Sequence, residues 1–236
     1  MNQYLENEKK KLIGCAWAHY RLGMRGEELD DCLKLIAIDP ADPNGYLQLG
    51  SAYENQGAMD KAKICYLELV RRFPDYSAGY VNLGYFFEKQ EKRLDLATIC
   101  YEKATELDPV CELALNNVAT MFQKRGQWLQ ARVYFEKANA IAENREVWSC
   151  FILHNLAWAC YHCGDYDEAS RLYKKLLNLC PEDYKEIHSI LADFGCVCYK
   201  MGLLEDAVRL FDKALSIDPT NRRCRRLYRI VSEKVR

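Results

Sequence analysis

No run of about twenty apolar residues, the length needed to cross a bilayer, occurs anywhere in this 236-residue chain. The longest candidate, VWSCFILHNLAWACY, is interrupted by His154 and Asn155. The opening MNQYLENEKKKLIG has no apolar core of the kind a secretory signal needs. An excess of one charge is lacking as well. Lys and Arg total 33 against 34 Asp and Glu, a net charge of −1, so no global field draws in nucleic acid or a membrane. There is no G-x-S-x-G, no glycine-rich phosphate loop and no H-E-x-x-H. The four histidines, His19, His154, His162 and His188, fall on different turns with no nucleophile and orienting acid beside them. An enzyme is therefore not expected, nor a cofactor. Proline is scarce, with six residues, and glycine, with twelve, is twice as common. What is present is half apolar and 28% charged residues, a composition that builds a sizeable core. Twelve cysteines at irregular spacing, with no secretion signal, point to a reducing cytoplasm and to thiols used as small apolar side chains.

The few prolines and glycines recur at intervals. Pro40, Pro74, Pro109, Pro181 and Pro219 close successive apolar helical patterns, and Gly23, Gly57, Gly126, Gly164 and Gly202 divide them. Pro40 to Pro74 and Pro74 to Pro109 differ by 34 and 35 positions, a period that marks a solenoid. Within each period lie two amphipathic helices. In GYLQLGSAYENQ the apolar positions Leu49, Ala52 and Tyr53 keep helical spacing until Gly57, and MDKAKICYLELVRRF follows up to Pro74.

The stretches LGSAYENQG…DKAKICY…P over 49–74, LNNVATMFQKRGQWLQARVYFEKA over 115–138 and LAWACYHCGDYDEASRLYKKLLNLCP over 156–181 resemble tetratricopeptide repeats. The resemblance covers about nine-tenths of the chain. The expected fold is all-α: a right-handed α-solenoid of six helical hairpins at about 9–42, 43–76, 77–111, 112–145, 150–183 and 188–221, with a basic capping helix over 222–236 whose Leu227, Ile230 and Val231 cover the last hairpin. Three departures stand out. The third hairpin carries one extra residue near Glu91-Lys92-Arg93, where glycine is missing. The fourth-to-fifth and fifth-to-sixth spacings are 38 residues, about one added helical turn. Glu28 stands where later hairpins have Ala62, Ala97, Ala131, Ala169 and Ala207, so the first should pack more loosely.

The segment HNLAWACYHCGDY holds His154, Cys160, His162 and Cys163, a composition that prompts thoughts of zinc. On one helix, however, His154 and His162 lie about 12 Å apart along the axis, too far to share a metal. Cys160 turns to the packed side and Cys163 outward. Core packing is expected, with no metal.

In a stack of hairpins the first helices line the concave surface. One row there reads Trp17, Ser51, Tyr85, Thr120, Trp158 and Cys196, and its neighbour Gly14, Gln48, Asn82, Asn117, Asn155 and Asp193. An asparagine amide offers a donor and an acceptor, so a row of them can pair with the main chain of an extended peptide whatever its side chains. Family members are known for such grooves. The expected peptide-binding residues are Trp17, Gln48, Asn82, Tyr85, Asn116, Asn117, Lys124, His154, Asn155, Trp158, His162 and Lys200, with aromatic anchors flanked by cations toward the C-terminal half and by Glu54 and Glu88 before it. The clamp by which chaperone-binding members hold a terminal carboxylate is missing, since the matching slots hold Ile13, Trp17, Gln48, Ala78 and Asn82.

The expected function is a non-enzymatic protein-interaction scaffold that binds a peptide or partner helix. An alternative is the regulatory or substrate-recognition subunit of an enzyme complex. The tail, with seven Lys or Arg against one Glu, raises polyanion binding to RNA or lipid as a further alternative, and the cysteines a metal or redox role.

Overall fold

The computed structural model describes residues 2–144, 150–180, 184 and 186–235. The repeat mark at Pro181 and the expected hairpin limits at residues 145 and 183 lie outside them. The chain divides into two compact units, Met1–Pro109 and Val110–Arg236. The first unit contains α1 (Asn2–Leu22), α2 (Arg25–Ile38), α3 (Pro43–Asn55), α4 (Met59–Arg72), α5 (Ser77–Phe86) and α6 (Leu94–Leu107). The second contains α7 (Glu112–Lys124), α8 (Trp128–Asn144), α9 (Cys150–His162), α10 (Tyr166–Leu179), α11 (Ile187–Lys200), α12 (Leu204–Ile217) and α13 (Arg222–Val235). Among the described residues there is no strand. The fold is an all-α solenoid of paired helices.

Local chemistry fixes the helix ends. Asp42 caps α3 by accepting from the Asn44 N–H at 3.0 Å, with Pro43 in the first turn, where a missing N–H costs nothing. Asp165 caps α10 through the Glu168 N–H at 3.2 Å. Between partner helices the chain must take a left-handed residue, and Gly57 does so with φ 76°. The Ala58 N–H then returns to Tyr53 O and the Gly57 N–H to Glu54 O, both at 2.9 Å.

The third hairpin has no glycine there. Its extra residue is absorbed by a π-helical turn over Phe87–Glu91, and Lys92 takes the left-handed conformation at φ 57°. The longer fourth repeat has an equally plain cause, because α8 runs to 17 residues against 14 for α4, α6, α10 and α12.

Each hairpin after the first closes on a small residue of its first helix facing a large residue of its second. A Cβ added to Gly50 would lie 2.5 Å from the Tyr66 ring, one on Gly84 2.7 Å from Tyr101, and one on Gly195 2.7 Å from Phe211. Ala119 and Ala157 hold the same slot against Phe135 and Tyr173, all four fully buried in the core of the second unit. Ala62, Ala97, Ala131, Ala169 and Ala207 are fully buried too, which lets the paired helices approach closely.

The C-terminal helix α13 packs on α12 and α11 with Leu227 and Val231 as expected, but without Ile230. Cys224 and Val231 are buried, and Leu227 and Tyr228 pack partly against the core. Ile230, one helical step from Val231, is exposed.

Candidate functional site

In the first unit, the first helices present an aromatic and amide surface. Trp17 on α1 is 62% exposed and meets Tyr20 edge to face with centroids 6.0 Å apart. Gln48 on α3 is half-buried, and its Oε1 has no hydrogen-bond partner among the described residues. Asn82 on α5 donates one of its two N–H groups to Ala78 O at 2.8 Å, within its own helix. Tyr85, one turn on, is exposed, with the Lys89 ammonium 5.7 Å from its ring centre. The acidic character expected of this half is largely internal. Glu88 is buried and accepts from the Tyr101 hydroxyl at 3.0 Å, while Glu54 accepts from Tyr66 at 2.6 Å. Both carboxylates serve the core tyrosines. Burial, helped by those carboxylates, pushes both phenols well up from the ordinary value.

In the second unit the amides behave differently. Asn155 on α9 donates to Asn116 Oδ1 on α7 at 3.3 Å. Asn116 is only 1% exposed, a correction to its expected place on the open surface, and its Nδ2 has no partner among the described residues. It sits one helical step from Asn117, which is half-buried and displays the row. His154 lies against Asp193 of α11, Nε2 to Oδ2 3.1 Å, and Arg223 of α13 donates to the other oxygen of Asp193 at 3.2 Å. The same guanidinium stands 4.9 Å from the Trp158 ring centre and 3.6 Å from Cys196 Sγ. Asp193 and Cys196, expected on the open rows, are thus buried beneath the cap, and Trp158 is half-covered.

Trp158 stacks on Tyr161 with centroids 4.9 Å apart. His162 lies flat on Trp128 at 3.7 Å and edge-on to Trp158 at 4.6 Å. Burial among these rings, with Arg223 nearby, holds the His162 imidazole below its usual pKa. Lys124 and Lys200 are exposed at the ends of α7 and α11.

Cys160 and Cys163 fall where the helix angles put them. Cys160 is fully buried, with its thiol pushed up to about 12 by desolvation, and Cys163 is exposed. Sequence reasoning missed Trp128 and Arg223. Trp128 opens a second helix, and the link between the tail and Trp158 depends on folding back, which no periodicity encodes.

Among the described residues no helix is long and apolar enough to cross a membrane. The tetratricopeptide repeat pattern matches residues 43–76 and 77–111, and in tandem form residues 111–182 and 148–220. Over 111 residues, 47% of this chain, the sequence is 26% identical to the anaphase-promoting complex subunit CDC16 of Saccharomyces cerevisiae; the chain spans only 13% of that relative's length. Among solved structures, Pseudomonas aeruginosa pilF superposes with a TM-score of 0.78 at 15% identity, covering 94% of this chain and 97% of that one. The APC/C hetero-tetramer Cut9–Hcn1 gives 0.74 at 18% identity, over 93% of this chain and 42% of the other. YrrB, described as a tetratricopeptide protein with an unusual peptide-binding site, gives 0.67 at 17% identity over 84% and 97%. With the repeat pattern running from residue 43 to residue 220, the chain belongs to the tetratricopeptide repeat family.

Proposed function

We propose that the first helices bind an extended peptide or partner segment by its main chain, and that the protein acts as a non-enzymatic interaction scaffold. The observation that carries this reading is the presence of amides with spare hydrogen-bonding capacity and of exposed rings on the first helices of the first unit. In the first unit Gln48 Oε1 is buried without a partner among the described residues, and Trp17 and Tyr85 are exposed. A buried amide atom without a partner is costly, and a peptide group supplies the missing one. Asn82 uses one N–H within its own helix, which leaves its carbonyl oxygen and its second N–H to pair with a peptide group.

The test replaces Gln48 and Asn82 together with Ala and measures peptide binding by calorimetry, using ligands selected from a random peptide array. Each lost main-chain pair costs about 0.5–1.5 kcal/mol, so the double variant weakens binding by roughly five- to a hundredfold. A Lys103→Ala/Lys174→Ala control on exposed positions of α6 and α10 binds like wild type. The reverse pattern places the binding surface elsewhere.

A second reading, a subunit of a larger assembly, is favoured by the 26% identity to an anaphase-promoting complex subunit. Size-exclusion chromatography of native extracts decides it: elution of the chain at its own mass of 27.5 kDa would exclude stable assembly.

A further inference from the structure

The first hairpin breaks the repeat at two neighbouring slots, and a pocket opens there. Where the later second helices carry a fully buried alanine, α2 carries Glu28. Four residues on, where they carry Tyr66, Tyr101, Phe135, Tyr173 or Phe211, α2 carries Cys32. A thiol is far smaller than a ring, so the volume that a ring fills in every other hairpin is open. The result is a pocket of about 420 Å3 lined by Glu28 and Cys32 and, from the first helices, by Trp17, Tyr20, Gln48 and Ser51. That volume falls in the range of about 300–1,000 Å3 typical of ligand clefts.

Its polar groups are mismatched without an occupant. Glu28 is only 6% exposed. One carboxylate oxygen accepts from the neutral Asn55 amide at 3.3 Å, and the other, Oε2, has no partner among the described residues. Gln48 Oε1 is an acceptor in the same condition. The other buried carboxylate of α2, Asp31, is served by His19 at 2.9 Å and Lys34 at 3.4 Å. A buried carboxylate is expensive to keep unless a cation meets it.

We propose that this pocket receives an arginine side chain of the peptide bound on the first-helix face; the inference rests on that reading of the face and names the chemistry of one of its subsites. A guanidinium is planar, stacks on an aromatic ring such as Trp17, and offers five N–H donors to a wall whose two idle atoms are both acceptors. A lysine ammonium fits less well, being compact and more strongly hydrated. A carboxylate or phosphate meets Glu28 and is repelled.

The experiment screens the full chain against an array of acetylated, amidated random peptides, then titrates the best binders by calorimetry. Arginine should be enriched at one position, and N-acetyl-arginine amide should compete and shift the indole NMR signal of Trp17. Replacing that arginine by lysine should weaken binding, and Glu28→Gln should reduce affinity by at least about thirtyfold, as loss of a buried charge partner does. Glu28→Ala installs the residue that the other hairpins use, so it should melt no lower than wild type and lose arginine binding as well. Peptides bound without arginine preference, or equally by Glu28→Gln, overturn the subsite and leave the first-helix reading standing. No peptide bound at all overturns both.

Discussion

Replacing Tyr173 by Phe should make this protein more stable, whereas the same change at Tyr66 should make it less so. The two tyrosines hold equivalent places, each fully buried on the second helix of its hairpin. Their hydroxyls are not equivalent. Tyr66 donates to Glu54 at 2.6 Å and lies 3.2 Å from the Ser51 hydroxyl. In the fifth hairpin the slot of Glu54 is Tyr161, which stacks on Trp158, and the Tyr173 hydroxyl has no partner among the described residues. A hydroxyl desolvated without a partner costs about 1–3 kcal/mol, so Tyr173→Phe gains about 1 kcal/mol or more. Loss of a hydrogen bond to a carboxylate costs about 1.5–3 kcal/mol, so Tyr66→Phe loses that much. The two variants should therefore lie roughly 3 kcal/mol apart, about 6–12 °C in Tm at 2–4 °C per kcal/mol for a chain of this size. Thermal unfolding followed by circular dichroism reads the difference directly. Equal losses in both variants would refute the argument, because they would mean that the Tyr173 hydroxyl is satisfied.

Lys92→Gly should stabilise by about 1 kcal/mol in urea titration, because a lysine at φ 57° bears the steric cost that glycine avoids. Thiol alkylation at neutral pH should modify Cys163 well before Cys160, whose burial holds it protonated; mass spectrometry of the peptides gives the order. His162 is favoured neutral in the fold, so its contribution is complete above the unfolded pKa near 6.5 and is lost as pH falls through the lower folded value. Unfolding titrations across that window should show the decline, and His162→Phe, which keeps the stack on Trp128, should flatten it.

The repeat was legible because glycine, alanine and proline mark it in the chain itself. Gly57 and its counterparts announce the turns, and Ala62 and its counterparts the close approaches, so fold class followed from local chemistry. Even the irregular third hairpin was flagged by the missing glycine at Glu91-Lys92-Arg93, although the π-helical turn that absorbs the extra residue was not. The site was less legible, since helical angle tells which way a side chain points but not what folds over it. Asn116 and Asn117 are adjacent in sequence and were both placed on the open face; one step of about 100° buries the first. Cys196 and Asp193 were placed by angle on the open rows, and only the return of α13 brings Arg223 over them. Glu28 was noticed as a departure, but its meaning depended on Cys32, which carries no signal until the two slots are compared across hairpins.

The facing of glycine with tyrosine or phenylalanine bears on how such a chain can be recombined. Tyr66, Tyr101 and Phe211 lie so close to the backbone of Gly50, Gly84 and Gly195 that one methyl group on the glycine collides with the ring. Hairpins four and five use alanine in that position, so their rings must stand further off. A chimera that joins the first helix of one hairpin to the second helix of another therefore mixes two spacings. Exchange of α7 for α3 would drive Ala119 into the Tyr66 ring, while moving α7 and α8 together preserves the spacing. The heritable module is the helix pair with its matched contact, and crossovers that fall in the turns between hairpins, not within them, should yield folded proteins.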